Sequence, residues 1–144
     1  MSASTAPFTI RPATEDEVRS GVVGQQLRAF NYRFVGEYPQ QQPIRLNAVD
    51  AGGALLGGLR AFVFLHWLRV EVLWVADAAR RQGVGSGLLR QAEQDAIALG
   101  ARGSALETFD WQAPEFYRKQ GYAACGRIED YVDGYALWMF SKRL

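Results

Sequence analysis

The stretch Val70-Glu71-Val72-Leu73-Trp74-Val75-Ala76-Asp77-Ala78-Ala79-Arg80-Arg81-Gln82-Gly83-Val84-Gly85-Ser86-Gly87-Leu88-Leu89 decides the fold, because it runs from an apolar strand through a glycine turn into a helix. Alternation along Trp67 to Val75 puts Leu68, Val70, Val72 and Trp74 on one face and Arg69, Glu71, Leu73 and Val75 on the other, both mostly buried. After the turn, Leu88, Leu89, Ala92, Ala96 and Leu99 repeat at helical spacing. Arg90, Glu93, Gln94 and Asp95 cover the polar side, and Gly100 ends the helix. Glycines at such a junction let the backbone come close to a ligand, and the unpaired amides and positive dipole end of the first helical turn suit a phosphate. Arg80 and Arg81 add positive charge beside it. The same residues fit a plain connection with glycine chosen for tight packing, but two arginines with three glycines favour an anion. A Walker loop requires Gly-Lys-Ser/Thr, and the dinucleotide fingerprint places a third glycine where Leu88 stands, so neither matches.

Upstream, Phe8-Thr9-Ile10-Arg11-Pro12 reads as a short strand, and Thr14 and Glu17 stand at capping-box spacing for a first helix. Val18, Val22, Leu27, Phe30 and Phe34 mark its apolar side, and Gly21 and Gly24 predict a bend or break. The breaker-rich segment Val35 to Pro43 reads as a loop of the kind that borders a site. Ile44 to Val49, the turn Asp50-Ala51-Gly52-Gly53 and the next apolar run form an antiparallel hairpin. Downstream come a strand around Ser104 to Thr108, a helix opened by Pro114 and closed by Gly121, and two final strands, Tyr122 to Ile128 and Tyr135 to Ser141.

The 144 residues suit one domain, residues 1–144, with no repeat or linker. The hydrophobic fraction of 49% and the charged fraction of 22% exclude disordered and fibrous classes. Sixteen basic against fifteen acidic residues give a charge of +1, which supplies no drive toward nucleic acid or an acidic membrane. Neither is expected as a partner. One cysteine, Cys125, and one histidine, His66, assemble no intramolecular disulfide and no Cys/His metal cluster, so no metal is expected and the cytoplasm is the expected compartment. Met1 to Phe8 shows no export signal, and no apolar run approaches the ~20 residues of a membrane span.

Arg80-x-x-Gly83-x-Gly85 resembles the pyrophosphate-binding motif of the GCN5-related N-acetyltransferase (GNAT) superfamily, which binds coenzyme A. Ala113-Pro114-Glu115-Phe116-Tyr117-Arg118-Lys119-Gln120-Gly121-Tyr122 is similar to the second signature of that superfamily, at the expected distance downstream. The resemblance covers nearly the whole chain and is tightest from about Glu71 to Tyr122. It implies an α/β domain with a mixed, mainly antiparallel sheet flanked by helices, and acetyl-CoA as cosubstrate.

The resemblance also implies site residues. The strand before the glycine loop splays from its neighbour at a bulge, and the pantetheine arm enters the gap along Leu73-Trp74-Val75. The Val75 N–H then holds the thioester carbonyl and stabilises the oxyanion of the tetrahedral intermediate. Arg80, with the amides of Arg81, Gln82, Gly83, Val84, Gly85 and Ser86, cradles the pyrophosphate. Tyr117 falls on the family's tyrosine, the general acid at the coenzyme sulfur, although its pattern alone reads as an aromatic on a buried helix face. Glu71 is the candidate base, since a carboxylate on an apolar strand is costly to bury and some polyamine-acetylating relatives carry a glutamate there. A structural pair with Arg69 is its alternative, and Glu107 is the reserve base. Asp110 falls where many relatives have an asparagine that bonds to pantetheine; it is a candidate cofactor contact or a helix cap.

The expected reaction is direct acetyl transfer to an amine in a ternary complex, the acceptor being a small-molecule amine received by the first helix, the Val35 to Pro43 loop and the C-terminal strands. Acetylation of a protein amine and a non-catalytic acyl-CoA-binding or sensing module are the alternatives. A homodimer is expected by the same resemblance. His66 reads as a strand-end packing residue, Cys125 as a small strand residue that nothing nearby marks as an activated thiol, and Trp67, Trp74, Trp111 and Trp138 as scattered core aromatics.

Overall fold

Apolar alternation from Ile44 onward builds six strands: β1 (Gln42–Val49), β2 (Leu55–Phe64), β3 (Trp67–Val75), β4 (Gly103–Phe109), β5 (Ala123–Val132) and β6 (Tyr135–Arg143). In a computed structural model, which describes residues 7–144, they form one sheet in the order β1-β2-β3-β4-β6-β5. Only the β3–β4 pair is parallel, so the sheet is mixed and mainly antiparallel. Residues 1–6, part of the stretch Met1 to Phe8 in which no export signal is expected, lie outside the described residues.

The chain, which reads as one domain, clusters as two compact units, Met1–Tyr38 and Pro39–Leu144. In the first, Thr14 caps α1 (Glu15–Ser20): its hydroxyl accepts from the Glu17 amide, and the Glu17 carboxylate accepts from the Thr14 amide. Gly21, left-handed at φ 69°, ends α1 and starts α2 (Val22–Val35). The expected break therefore falls at Gly21, while Gly24 stays inside α2. No strand forms at Phe8–Pro12, where Pro12 has no amide to donate and no partner strand pairs. The expected loop is shorter than read, because α2 runs through Val35 and β1 begins at Gln42.

In the second unit, α3 (Val84–Ala98) lies over β1, β2 and β3. Its Leu88, Leu89, Ala92 and Ala96 join Ile44, Leu59, Ala61, Val63, Leu68 and Val70 in the core. Each fully buried leucine is worth roughly 1.5–3 kcal/mol relative to an exposed one. Glu93 departs from the polar face expected for it and is buried. Its carboxylate accepts from Tyr122 Oη at 2.9 Å and from Lys142 Nζ at 3.0 and 3.1 Å, and Tyr122 Oη also lies 2.8 Å from Ser104 Oγ. That network ties α3 to β4, to β6 and to the chain leaving α4 (Pro114–Lys119). A buried carboxylate is tolerable only with such partners.

Glu71 sets the shape of the sheet. The register against β2 runs Ala61↔Val70 and then Arg60↔Val72, so Glu71 has no opposite number and forms a β-bulge. One extra residue shifts the period-two pattern. Leu68 and Val70 face the core as expected, but beyond the bulge Leu73 packs against the core while Val72 and Trp74 are about half exposed. The simple alternation expected along β3 is thereby corrected, and with it the expectation that Glu71 shares a face with Val75.

Candidate active site

The parallel pairing of β3 with β4 begins at Trp67↔Gly103 and stops at Val70↔Leu106. Past that point both strands continue, to Val75 and to Phe109, without bonding each other. The bulge thus opens a wedge in the sheet, and a cleft of about 970 Å³ fills it. Its walls are Val70 to Val75 from β3, Leu106 to Thr108 from β4, the glycine turn, and α4.

Backbone direction on the β3 wall follows from one bond. The Ala76 amide donates to the Leu56 carbonyl at 2.8 Å, so it points toward β2. Successive amides of a strand point to opposite edges, and those of Val75 and Leu73 therefore point into the wedge. They are preorganised donors at the position expected for a carbonyl-binding amide. Trp74, between them, turns its carbonyl toward Gly57, where an added Cβ would lie 2.7 Å from that oxygen. Only glycine fits so close an approach.

The glycine turn closes the other end. Arg81 (φ 66°) and Gly83 (φ 81°) are both left-handed, a backbone form that gathers amides into a concavity for anions. The first intrahelical bond of α3 runs from the Gly87 amide to the Gly83 carbonyl, so the amides of Val84, Gly85 and Ser86 precede it and remain for a ligand. Arg80, Arg81, Gly83, Val84, Gly85 and Ser86 line the cleft, and Gln82 does not. Its side chain is folded back onto the Ala78 carbonyl at 3.1 Å. Arg80 is ion-paired with Asp77 at 3.1 Å, both well exposed. The donor set and its left-handed backbone fit a pyrophosphate.

Pro114 opens α4, which presents Phe116 and Tyr117 to the cleft. Tyr117 is 7% exposed, packs edge-on against Phe116 and Tyr122, and its hydroxyl makes no hydrogen bond among the described residues. Burial pushes its phenol up to about 12, so it is held protonated at neutral pH.

Two carboxylates flank the apex of the wedge. Glu71 follows Val70 and Glu107 follows Leu106, the last paired residues, and both are exposed and line the cleft. Glu71 also borders a smaller pocket of about 240 Å³ with Arg45 and Arg60, yet it forms no ion pair with them or with Arg69 among the described residues.

Asp110 lies outside the cleft lining. Its carboxylate accepts from the Ala136 amide at 2.7 Å and from Trp138 Nε1 at 2.6 Å, and these bonds hold it below the usual carboxylate range. Asp110 fastens the end of β4 to β6, and since Ala113 is the N-cap of α4 with no side-chain cap bond, this replaces the expected helix cap. Two tryptophans are a second correction. Trp74 and Trp111 both line the cleft and are each about half exposed, rather than buried in the core. Trp74 escapes a reading by alternation because the bulge inverts its side, and Trp111 because the turn after β4 has no periodicity to read.

A model of the acetyltransferase (GNAT) family matches residues 14–122, well over half of the chain. The blasticidin-S acetyltransferase of Streptomyces morookaense is 43% identical over 119 residues, covering 82% of this chain and 88% of that protein. The crystal structure of an acetyltransferase from Bacillus cereus superposes with a TM-score of 0.86 at 29% identity, over 95% of this chain and 98% of that one. Nourseothricin acetyltransferase is similar at a TM-score of 0.65 and 28% identity, over 71% and 65% of the two chains. A splayed mixed sheet, a helix start with amides ahead of its first internal bond and a match of this extent lead to one conclusion: the chain belongs to the acetyltransferase (GNAT) family and is an N-acetyltransferase.

Proposed function

We propose that the protein transfers the acetyl group of acetyl-CoA to the amine of a small molecule by direct attack in a ternary complex. The observation that carries this reading is the wedge between β3 and β4, with inward backbone donors at one end and an anion-binding helix start at the other. Acetyl-CoA supplies an acyl group already activated as a thioester. The amides of Val84, Gly85 and Ser86 and the Arg80 and Arg81 side chains bind its pyrophosphate. Leu73 and Val75 hold the pantetheine arm along the open edge of β3, and the Val75 amide meets the thioester oxygen where negative charge grows during attack.

An attacking amine must first lose a proton, and a departing thiolate must gain one. Glu71, exposed at the bulge and in no ion pair among the described residues, takes the first role through water, with Glu107 on the opposite lip of the wedge. Tyr117 takes the second. Its phenol, raised to about 12, holds its proton at neutral pH and offers it to the sulfur as negative charge develops there. The chemistry needs no metal and no acyl-enzyme.

The 43% identical blasticidin-S acetyltransferase supports a small molecule as acceptor. The direct test is thiol release from acetyl-CoA with blasticidin S as acceptor. Release that depends on both compounds, and that vanishes without enzyme, is the expected result. Acetyl-CoA binding with no release would favour an acyl-CoA-binding module.

A further inference from the structure

A second, smaller cavity adjoins the cleft. Along β1, Ile44 and Leu46 pack into the core, so Pro43 and Arg45 take the opposite face of the sheet, as Arg60 and Phe62 do on β2. Those four residues and Glu71 line a space of about 240 Å³. Glu71 also lines the acetyl-transfer cleft, so the two spaces meet at the proposed base.

Two guanidinium side chains border this cavity from directly opposed positions, since Arg45 pairs with Arg60 in the register of β1 with β2. Like charges so placed across an antiparallel pair destabilise it. The two arginines are not equivalent. Arg60 is occupied within the sheet: its Nη1 donates to the Leu46 and Leu59 carbonyls, both at 2.9 Å, and its Nη2 to Asn47 Oδ1 at 3.0 Å. Its head lies over Gly58, where an added Cβ would come within 3.5 Å of Nη1. Arg45 makes no hydrogen bond, ion pair or ring contact among the described residues, although Glu71 borders the same cavity. A fixed cation thus stands across from an unoccupied one, and together they make the cavity attractive to an anion.

We propose that Arg45 binds a carboxylate of the acceptor, so that the acceptor is an amine that also carries a carboxylate, its anion in the smaller cavity and its amine at Glu71. The assignment rests on the acetyl-transfer reading of the cleft and adds the class of acceptor. A guanidinium offers parallel N–H donors that match a planar carboxylate, and the field of the fixed Arg60 adds to the attraction. Because Glu71 borders both spaces, a molecule anchored at Arg45 presents its amine to the proposed base. Arg45 touches no reacting atom in this arrangement; it selects between acceptors.

The test measures kcat/KM by thiol release from acetyl-CoA for two pairs of amines, blasticidin S with its methyl ester and 6-aminohexanoate with hexylamine, in the native protein and in Arg45→Gln. Acetyl-CoA binding is followed in parallel as a rise in unfolding temperature. In at least one pair the acid should exceed its uncharged partner about tenfold, and the preference should fall to about threefold or less in Arg45→Gln while use of the partner stays level. Arg45→Lys, which keeps the charge, should retain part of the preference. Equal or better use of the uncharged partners, a preference that survives Arg45→Gln, an equal loss for both members of a pair, or acetyl-CoA binding without turnover of either acid overturns the acceptor class and leaves the cofactor assignment standing. Weaker acetyl-CoA binding in Arg45→Gln would move Arg45 to the cofactor and likewise overturn it. Absence of acetyl-CoA binding by the native protein overturns the reading beneath it.

Discussion

At the scale of single residues, the proposed acid and base, Tyr117 and Glu71, differ in environment: one is buried and the other exposed. The Tyr117 side chain is buried and protonated, and its hydroxyl bonds to no group among the described residues, so removing its oxygen subtracts a proton donor and little packing. Tyr117→Phe should lower kcat by about 10²-fold with nearly unchanged acetyl-CoA affinity, the usual size of a lost general acid. Steady-state turnover set beside a thermal-shift titration checks it, and unchanged kcat would remove Tyr117 from the acid role. Glu71→Gln keeps the size of the bulge residue and removes the base. The kcat should fall at neutral pH by about 10²-fold and recover in part as pH rises and more amine arrives deprotonated. If Glu107→Gln shows that behaviour and Glu71→Gln does not, the base lies on β4. Tyr117 is legible from a motif and the two glutamates as carboxylates on apolar strands, whereas the occupation of Asp110 is not. Its partners, Ala136 and Trp138, stand 26 and 28 positions downstream, and only the pairing of β4 with β6 brings them near.

Among the elements, the β3–turn–α3 unit is the one the sequence discloses best. Apolar alternation, glycines and a helical period stand side by side in a single stretch, and its strand and helix limits follow from local signals. The bulge is different. Nothing within β3 announces that Glu71 will lack a partner, because the register depends on how Ala61 and Arg60 of β2 align across the hairpin. From that one slip follow the inverted exposure of Val72 and Trp74 and the wedge itself. Arg81 shows what the turn sustains for binding, a non-glycine residue at φ 66°. Left-handed backbone costs a non-glycine residue roughly 1–2 kcal/mol. Arg81→Gly should therefore raise the unfolding temperature by a few degrees and weaken acetyl-CoA binding, through loss of a cation and of a rigid turn. Melting curves with and without acetyl-CoA separate the effects, and a variant less stable than the native protein would show that the φ of Arg81 carries no strain.

Across the larger unit, a buried polar network joins distant segments of chain. Glu93 of α3, Ser104 of β4, Tyr122 and Lys142 of β6 meet through hydrogen bonds of 2.8 to 3.1 Å. Glu93 reads as a surface residue in its helix, since its partners lie 29 and 49 positions away. Burial raises the pKa of both Tyr117 and Tyr122 above the ordinary phenol value of 10.0, Tyr122 the further of the two. The sign follows: an unfolded chain releases these protons near pH 10 while the folded one holds them, so stability present below pH 10 is lost as pH climbs toward about 12. Urea midpoints should be level between about pH 7 and 9 and fall above about 10. Tyr122→Phe should lower the neutral midpoint by the equivalent of about 1–2 kcal/mol and flatten the alkaline fall. A slope identical to that of the native protein would mean that Tyr122 ionises as freely folded as unfolded.

The wedge between β3 and β4 and the glycine turn together form the proposed acetyl-CoA site. Thermal unfolding of the protein with acetyl-CoA, NAD or ATP, each at the same concentration, tests it most directly. At a hundredfold excess over Kd a bound ligand adds about 2.7 kcal/mol, several degrees for a domain near this size. A rise of that order with acetyl-CoA, and none with NAD or ATP, is the predicted result, while a rise with NAD or ATP alone, or with none of the three, would contradict it.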